Sequence, residues 1–289
     1  MKKLLLLTNF SSASRNALQF ARSFFNDCDT DFHLLYPHPD EQSGVHAPEY
    51  VAETTRITFS SQLNELVTGL REESVTDWHT FRSSTKSGLS YDVVRESVEA
   101  ENYDFVIIGP SEAETDLVFG NGAIGLIRQL KANVLVVPDS LPIRPILQIV
   151  LALDFANLNT YELLNPVKEL VMRKGATLTL LSIDTPGKKI ILPEHEAQIR
   201  QYLHPIEPNV ARLQAQNAKK GIDSYLASQP VDLLVIVPRF HTRTDSPTTT
   251  TTARSGIFTP PVPLLTIYDS TRHDEPLLIE DLSNLDFAL

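Results

Sequence analysis

Eight histidines and a single cysteine are the side chains in this sequence best suited to metal or nucleophilic chemistry. A helical zinc site pairs two histidines one turn apart with a glutamate beside them. Here His33 falls inside an apolar run, His38 lies between Pro37 and Pro39, and His195 and His204 stand nine apart. None has that pairing, so structural or solvent-exposed roles are expected and no metal ligand is assigned. Cys28 has no basic neighbour in sequence to lower its pKa and reads as a plain thiol. No Gly-x-Ser-x-Gly elbow, Walker loop or Gly-x-Gly-x-x-Gly fingerprint occurs. With no assignable general base or nucleophile, no catalytic residue is named and rapid catalysis is not expected. Two segments keep chemical interest. Gly120-Asn121-Gly122 lets the backbone come close to a ligand, and Arg239 and His241, with Arg243 and Arg254, could contact an anion.

Composition narrows the classes. The chain has 289 residues, 42% of them hydrophobic and 21% charged, which suits two globular domains and excludes wholesale disorder. Lys plus Arg is 25 against 36 Asp plus Glu, a net charge of -11. That balance disfavours nucleic acid and anionic membrane surfaces, both of which recruit Lys and Arg. One cysteine allows no internal disulfide and no multi-cysteine zinc site, and it fits a reducing cytoplasm. No apolar run approaches the ~18 residues of a membrane span. The leucines at 4–7 are too few for a signal-peptide core and read as a buried strand.

The elements that would hold these residues come twice. Leu4-Leu5-Leu6-Leu7-Thr8-Asn9-Phe10 matches Ile149-Val150-Leu151-Ala152-Leu153-Asp154-Phe155, and Phe32-His33-Leu34-Leu35 matches Leu178-Thr179-Leu180-Leu181. Asp104-Phe105-Val106-Ile107-Ile108 matches Asp232-Leu233-Leu234-Val235-Ile236, and Val134-Leu135-Val136-Val137 matches Leu264-Leu265-Thr266-Ile267. A repeat this long is a duplicated domain. The matched runs are short and apolar throughout, as strands of a covered parallel sheet must be. Between them lie helical faces. Ala17, Phe20, Ala21 and Phe24 follow the candidate caps Ser11 and Ser12, and Phe59, Leu63, Leu66, Val67 and Leu70 form a second face. Leu89, Val93, Val94 and Val98 form a third, and Ile124, Leu126, Ile127 and Leu130 a fourth. In the second half Leu163, Leu164, Val167, Leu170 and Val171 mark one helix. Ile199, Leu203, Ile206, Val210 and Leu213 mark a longer helical region interrupted by Pro205 and Pro208. Strands alternating with helices make each half an α/β, doubly wound parallel sheet. The expected layout is a first domain over 1–140, a linker over 141–145, a second domain over 146–270 and an amphipathic tail over 271–289.

The run LLLLTNFSSASRNALQFA at 4–21 resembles the opening of universal stress proteins, in which a strand ends in Thr-Asp-Phe-Ser before an Ala-rich helix. FGNGAIGLIRQLKANVLVVP at 119–138 resembles that family's glycine loop, fourth helix and last strand, and VLALDF with DLLVIVPRFH resembles a diverged second domain of tandem members. The resemblance spans about residues 1–270. It implies two tandem five-stranded parallel sheets of order 3-2-1-4-5, Rossmann-like and similar to adenine nucleotide alpha hydrolases. It also implies ATP or AMP as ligand, held by an Asp after the first strand and by a glycine loop after the fourth; Mg²⁺ would then be needed against the acids near that loop. Carried over, the site residues are Asn9 in place of that Asp, then Gly109, Gly120, Asn121, Gly122 and Ala123; Asp154 marks the second site. The match departs from the family in several places. Asn9 lacks the charge, Glu112 stands where the second loop glycine belongs, and Asn121 replaces a Ser or Thr. Glu112, Glu114 and Asp116 would repel a polyphosphate unless a metal bridged them. The second half keeps Asp154, but Val237-Pro238-Arg239 replaces the glycine loop, and Pro247 and the threonines at 248–252 follow in low-complexity sequence.

Two readings of Asn9 and Gly120-Asn121-Gly122 stay open: a surviving nucleotide cradle, or a strand-end turn and helix cap that the fold needs anyway. The sequence therefore points to a cytoplasmic tandem stress protein that binds a ligand or an unidentified protein partner through a degraded nucleotide fold. The alternative is an ATP or AMP sensor with at most slow ATP hydrolysis. Family dimers pair through their last strands, so the halves are expected to pair within one chain, covering the edges 134–137 and 264–267. A homodimer of whole chains stays open.

Overall fold

The computed structural model describes residues 1–38, 49–74, 78–111, 130–139, 141–153, 158, 160–186, 193–237 and 261–269. The chain divides into two compact units, Met1–Ile143 and Arg144–Leu289.

The first unit runs β1 (Lys2–Leu7), α1 (Ser12–Phe24), β2 (Thr30–His38), α2 (Glu49–Glu73), β3 (His79–Ser87), α3 (Ser90–Ala100), β4 (Phe105–Ile108) and β5 (Asn133–Val136). All strand pairs are parallel, in the order β3-β2-β1-β4-β5. Leu4 to Leu7 are wholly buried, as are Val106, Ile107 and Ile108. A strand covered on both faces has no position for a polar side chain, which is why these runs are apolar throughout. One face packs on α1 and α2. There Phe32 and Phe81 stack with centroids 5.1 Å apart, Arg22 of α1 lies over the Phe81 ring, and Arg71 of α2 donates to the Phe81 carbonyl. Strand alternation puts His33, Arg82 and Lys86 on the other face, where Lys86 Nζ reaches Ser97 of α3 at 2.8 Å.

Local sequence sets the helix ends. Ser11 caps α1 by accepting from Ser14 N, and Ala13, Ala17, Phe20, Ala21 and Phe24 are buried on one face. Leu63, Val67 and Leu70 bury the inner face of α2, with Phe59 and Leu66 half-buried. The third apolar face needs a correction. Leu89 occupies the cap position before α3 and is 74% exposed, so only Val93, Val94 and Val98 face the core. The fourth face, 124–130, lies outside the described residues except Leu130, which is buried.

The second unit runs β6 (Gln148–Ala152), a 3-10 turn (Tyr161–Leu164), α4 (Asn165–Lys174), β7 (Thr177–Asp184), α5 (Pro193–Leu203), β8 (Asn209–Gln214), α6 (Ala218–Ser228), β9 (Leu233–Ile236) and β10 (Leu264–Thr266). Its parallel order, β8-β7-β6-β9-β10, repeats that of the first unit. The chain leaves α4 through Gly175 at φ 61, a left-handed position that glycine adopts without strain. The long helical region expected over 199–213 is not one helix. α5 stops at Leu203, the chain turns through a cis His204–Pro205 bond, and Val210 and Leu213 belong to strand β8. Pro205 and Pro208 end the helix, and β8 is a half-exposed outer strand whose sparse apolar residues also fit a helical spacing.

One matched pair shows the duplication at atomic level. Asp104 Oδ2 accepts from Lys3 N at 2.8 Å, and Asp104 N donates back to Lys3 O at 2.8 Å. Asp232 Oδ2 accepts from Gln148 N at 2.9 Å and Leu147 N at 3.0 Å, and Asp232 N donates to Gln148 O at 2.9 Å. Each carboxylate ties the start of its unit's central strand to the loop before the fourth. The Asp232 side chain is 13% exposed against 38% for Asp104. Asp232→Ala should therefore cost more, roughly 1.5–3 kcal/mol, than Asp104→Ala, which leaves its amide to water. Paired denaturant midpoints at constant slope check this order.

Candidate functional site

The expected site lies at the carboxyl ends of β1 and β4, where the strand order reverses. Thr8 extends β1 by donating its N–H to Leu35 O at 3.0 Å, and its hydroxyl lies 3.3 Å from Ser14 Oγ. Asn9 follows. Its Oδ1 accepts from Ser11 N at 3.1 Å and from Ser11 Oγ at 2.5 Å. Ser11 Oγ in turn accepts from Ser14 N at 3.2 Å, closing the first turn of α1. The Asn9 oxygen is thus engaged in the turn that starts α1, as an Asx-type contact.

Between them, Phe10 has φ 61, a costly conformation for a bulky residue. The turn holds it through Phe10 N donating to Thr8 Oγ1 at 3.2 Å. Its ring packs on Tyr36 at 5.1 Å and stacks over Phe59 at 6.3 Å, and Tyr36 and Phe59 lie 4.7 Å apart. This half-buried aromatic group covers the ends of β1 and β2, and burial raises the Tyr36 phenol above its ordinary value.

Gly109 ends β4. A Cβ there would lie 2.3 Å from Ala13 O and 2.9 Å from Ala17 Cβ. Glycine is required at this position by the close crossing of α1, whatever else the loop does. Of the residues assigned from sequence, the structure thus places Asn9 and Gly109 beside the first turns of α1. Gly120, Asn121, Gly122, Ala123, Asp154, Arg239 and His241 lie outside the described residues. In the second unit Leu153 N donates to Leu181 O at 3.2 Å, the counterpart of the Thr8 contact.

A second polar cluster was not anticipated. His33 is buried with its Nδ1 2.5 Å from Tyr103 Oη and its Nε2 2.7 Å from Ser84 Oγ. Arg82 binds Glu101 through two nitrogens, reaches Asp31 at 3.3 Å and donates to Tyr103 Oη at 3.3 Å. Burial, then the Arg82 charge, hold the His33 imidazole down at about 4. Burial raises the Tyr103 phenol to about 12. The hydrogen bond from Arg82 lowers the Glu101 carboxyl, and the same bond raises the guanidinium. These residues lie far apart in sequence and carry no motif; the parallel β2–β3 register and the return of the chain after α3 join them.

Among the described residues no three His, Cys, Asp or Glu side chains converge as metal ligands, and no helix is long and apolar enough to cross a membrane.

Residues 1–138 match the model of the universal stress protein family. No curated protein matches the chain. Among solved structures, a universal stress protein from Archaeoglobus fulgidus DSM 4304 is 16% identical, with 92% of this chain and 97% of that chain covered and a TM-score of 0.66. A functionally unknown protein from Pseudomonas aeruginosa PAO1 is also 16% identical, with 92% of each chain covered and a TM-score of 0.57. At such identities the likeness is one of fold, and it extends over both units. Residues 1–138 belong to the universal stress protein family, and the second unit repeats that fold.

Proposed function

We propose that the chain is a tandem universal stress protein of the cytoplasm that acts by binding a ligand or protein partner, with both nucleotide sites degraded. The observation that carries this reading is the engagement of Asn9. Its oxygen accepts from Ser11 N and Ser11 Oγ, as a helix-starting turn requires. Gly109 supports the same reading, because its missing Cβ is what lets α1 cross at that distance. With its oxygen committed to Ser11, Asn9 offers no free acceptor at that atom to a nucleotide ribose, which supports this reading. The loss of the strand-end carboxylate and the acids at 112, 114 and 116 point the same way.

A second reading, an ATP or AMP sensor working with Mg²⁺, draws on one observation. The N-terminus of α1 opens at the carboxyl end of β1 with no acidic residue in its first turn, a favourable place for an anion. Thermal melting against ATP, ADP, AMP and cyclic AMP, with and without Mg²⁺, separates the two. A ligand at ~100 times its dissociation constant stabilises by roughly 2.7 kcal/mol. The binding-protein reading predicts an unmoved transition at millimolar nucleotide. A clear upward shift with one nucleotide gives the lead to the sensor.

A further inference from the structure

β3 is the outer strand of its unit's sheet, and one of its edges has no neighbouring strand. Trp78 O accepts from Thr30 N, and Gly88 N donates to His38 O, so the even-numbered residues of β3 turn their backbone groups to β2. The odd-numbered residues turn theirs outward by alternation. Arg71 of α2 marks that direction, because its guanidinium donates to Phe81 O at 2.6 and 3.1 Å. Beyond that contact the edge is open. Among the described residues nothing pairs with Phe81 N–H, or with the N–H and C=O groups of Ser83 and Thr85. A row of such groups is a template for another strand. The usual protections are weak here. β3 is 9 residues long and has no proline, and its two cations are held on the α3 face, Arg82 by Glu101 and Asp31 and Lys86 by Ser97.

Two exposed apolar side chains flank this edge. Trp78, just before β3, is 73% exposed, and Leu89, just after Gly88, is 74% exposed. Apart from Met1, no other large apolar side chain among the described residues is as exposed. One sits at each end of the same strand. An antiparallel two-fold pairing of β3 with itself exchanges the strand ends, so it brings Trp78 of one copy to Leu89 of the other.

We propose that β3 pairs antiparallel with β3 of a second copy of this chain, about a two-fold axis at Ser83. Charge and coverage fix the register. The outward groups belong to odd-numbered residues, and pairing odd with odd puts the axis at a residue. An axis at Arg82 sets that cation against its own copy, and an axis at Ser84 sets Arg82 against Lys86, both directly opposed like charges. An axis at Thr85 leaves Trp78 outside the pairing. The axis at Ser83 sets Arg82 opposite Ser84 and Lys86 opposite Thr80. It hydrogen-bonds Ser83 to Ser83 and Phe81 to Thr85 across the copies, and Phe81 O can accept from Thr85 N as well as from Arg71. Trp78 then lies opposite Gly88 of the second copy, whose missing side chain leaves room for the indole beside Leu89. The pairing uses no residue of the strand-end site and stands under either reading of that site.

Sedimentation equilibrium of the full chain, from micromolar to sub-millimolar concentration, tests this. The expected result is a reversible monomer–dimer equilibrium. Thr85→Pro removes one outward N–H and leaves the β2 ladder whole, a place where an edge strand tolerates proline. With its melting transition retained, it should raise the dissociation constant about tenfold or more. Trp78→Ser, at an exposed position that the fold does not need, should weaken the dimer about tenfold as well. Cross-linking in a Cys28→Ser background reads the register. Ser83→Cys should form a disulfide between copies, since hydrogen-bonded partners stand about 5.5 Å apart at Cα, within disulfide reach. Ser87→Cys, opposite His79 of the second copy and far from its own counterpart, should not. A wild-type chain that stays monomeric overturns the proposal. A dimer unchanged by Trp78→Ser, or by a folded Thr85→Pro, places the contact on another face and overturns it too. So does a Ser83→Cys chain that links no faster than Ser87→Cys.

Discussion

Gly109→Ala is expected to destabilise the first unit by roughly 3 kcal/mol, the upper part of the usual range for forcing extra volume into a packed site. The new Cβ would sit 2.3 Å from Ala13 O and 2.7 Å from Ala13 C, which are backbone atoms of α1 and cannot rotate away. The helix itself must move off the sheet. The loss should read as a lower denaturant midpoint with an unchanged slope, and it should be the same with and without ATP and Mg²⁺. Gly69 supplies the control. A Cβ there meets nothing within 4 Å, and α2 is helical at that point, so Gly69→Ala should be neutral or stabilising by up to about 1 kcal/mol. A Gly109→Ala variant as stable as the wild type would refute the packing role assigned to this glycine.

Lowering the pH should weaken the first unit before its carboxylates are protonated. His33 has a pKa of about 4 in the folded chain against the ordinary 6.5, because burial and Arg82 both oppose its charge. Between those values the unfolded chain holds a proton that the folded chain does not. Its contribution to stability is therefore complete above about pH 6.5, falls as the pH falls, and is lost once the pH is below about 4. At about 1.4 kcal/mol per pH unit the loss over that interval reaches roughly 3 kcal/mol. Glu101, lowered by Arg82, adds a further loss toward the acid end. Unfolding free energies of wild type and His33→Gln, measured from pH 4 to 7.5, check this. The variant should show a flatter profile by about that amount. Parallel profiles would place the His33 imidazole in an environment open to its charge.

How much of this molecule could be read beforehand follows from which strands are covered. β1, β4, β6 and β9 are buried on both faces, so their apolar runs announce them without any partner in view. β3, HTFRSSTKS, and β8, NVARLQ, are outer strands with mostly half-exposed residues, and no continuous apolar run marks them: Phe81 stands almost alone in β3, and Val210 and Leu213 of β8 fit a helical spacing. Their places come only from the family order. α6 is hidden for another reason. Its buried face is Ala218, Gly221 and Ile222, small because a Cβ on Gly221 would fall 2.5 Å from Ile183 Cγ2. At the strand ends, the positions of Asn9 and Gly109 were legible and their engagements were not. Whether an amide oxygen faces outward or turns back to Ser11 is a matter of local hydrogen bonding, which residue type does not decide. The His33 cluster was illegible for a simpler reason. Residues 31, 33, 82, 84, 101 and 103 meet only after β2 and β3 pair in register and the chain after α3 returns to them.

On the function proposed above, the strand-end residues of the first unit serve the fold and no longer hold a nucleotide. Calorimetric titration of ATP and of AMP, each with Mg²⁺, into the intact chain tests it most directly. The expected result is no saturable heat at millimolar nucleotide from a protein that melts cooperatively. A saturating isotherm with one nucleotide bound per chain, lost on Asn9→Ala without loss of the fold, would contradict it.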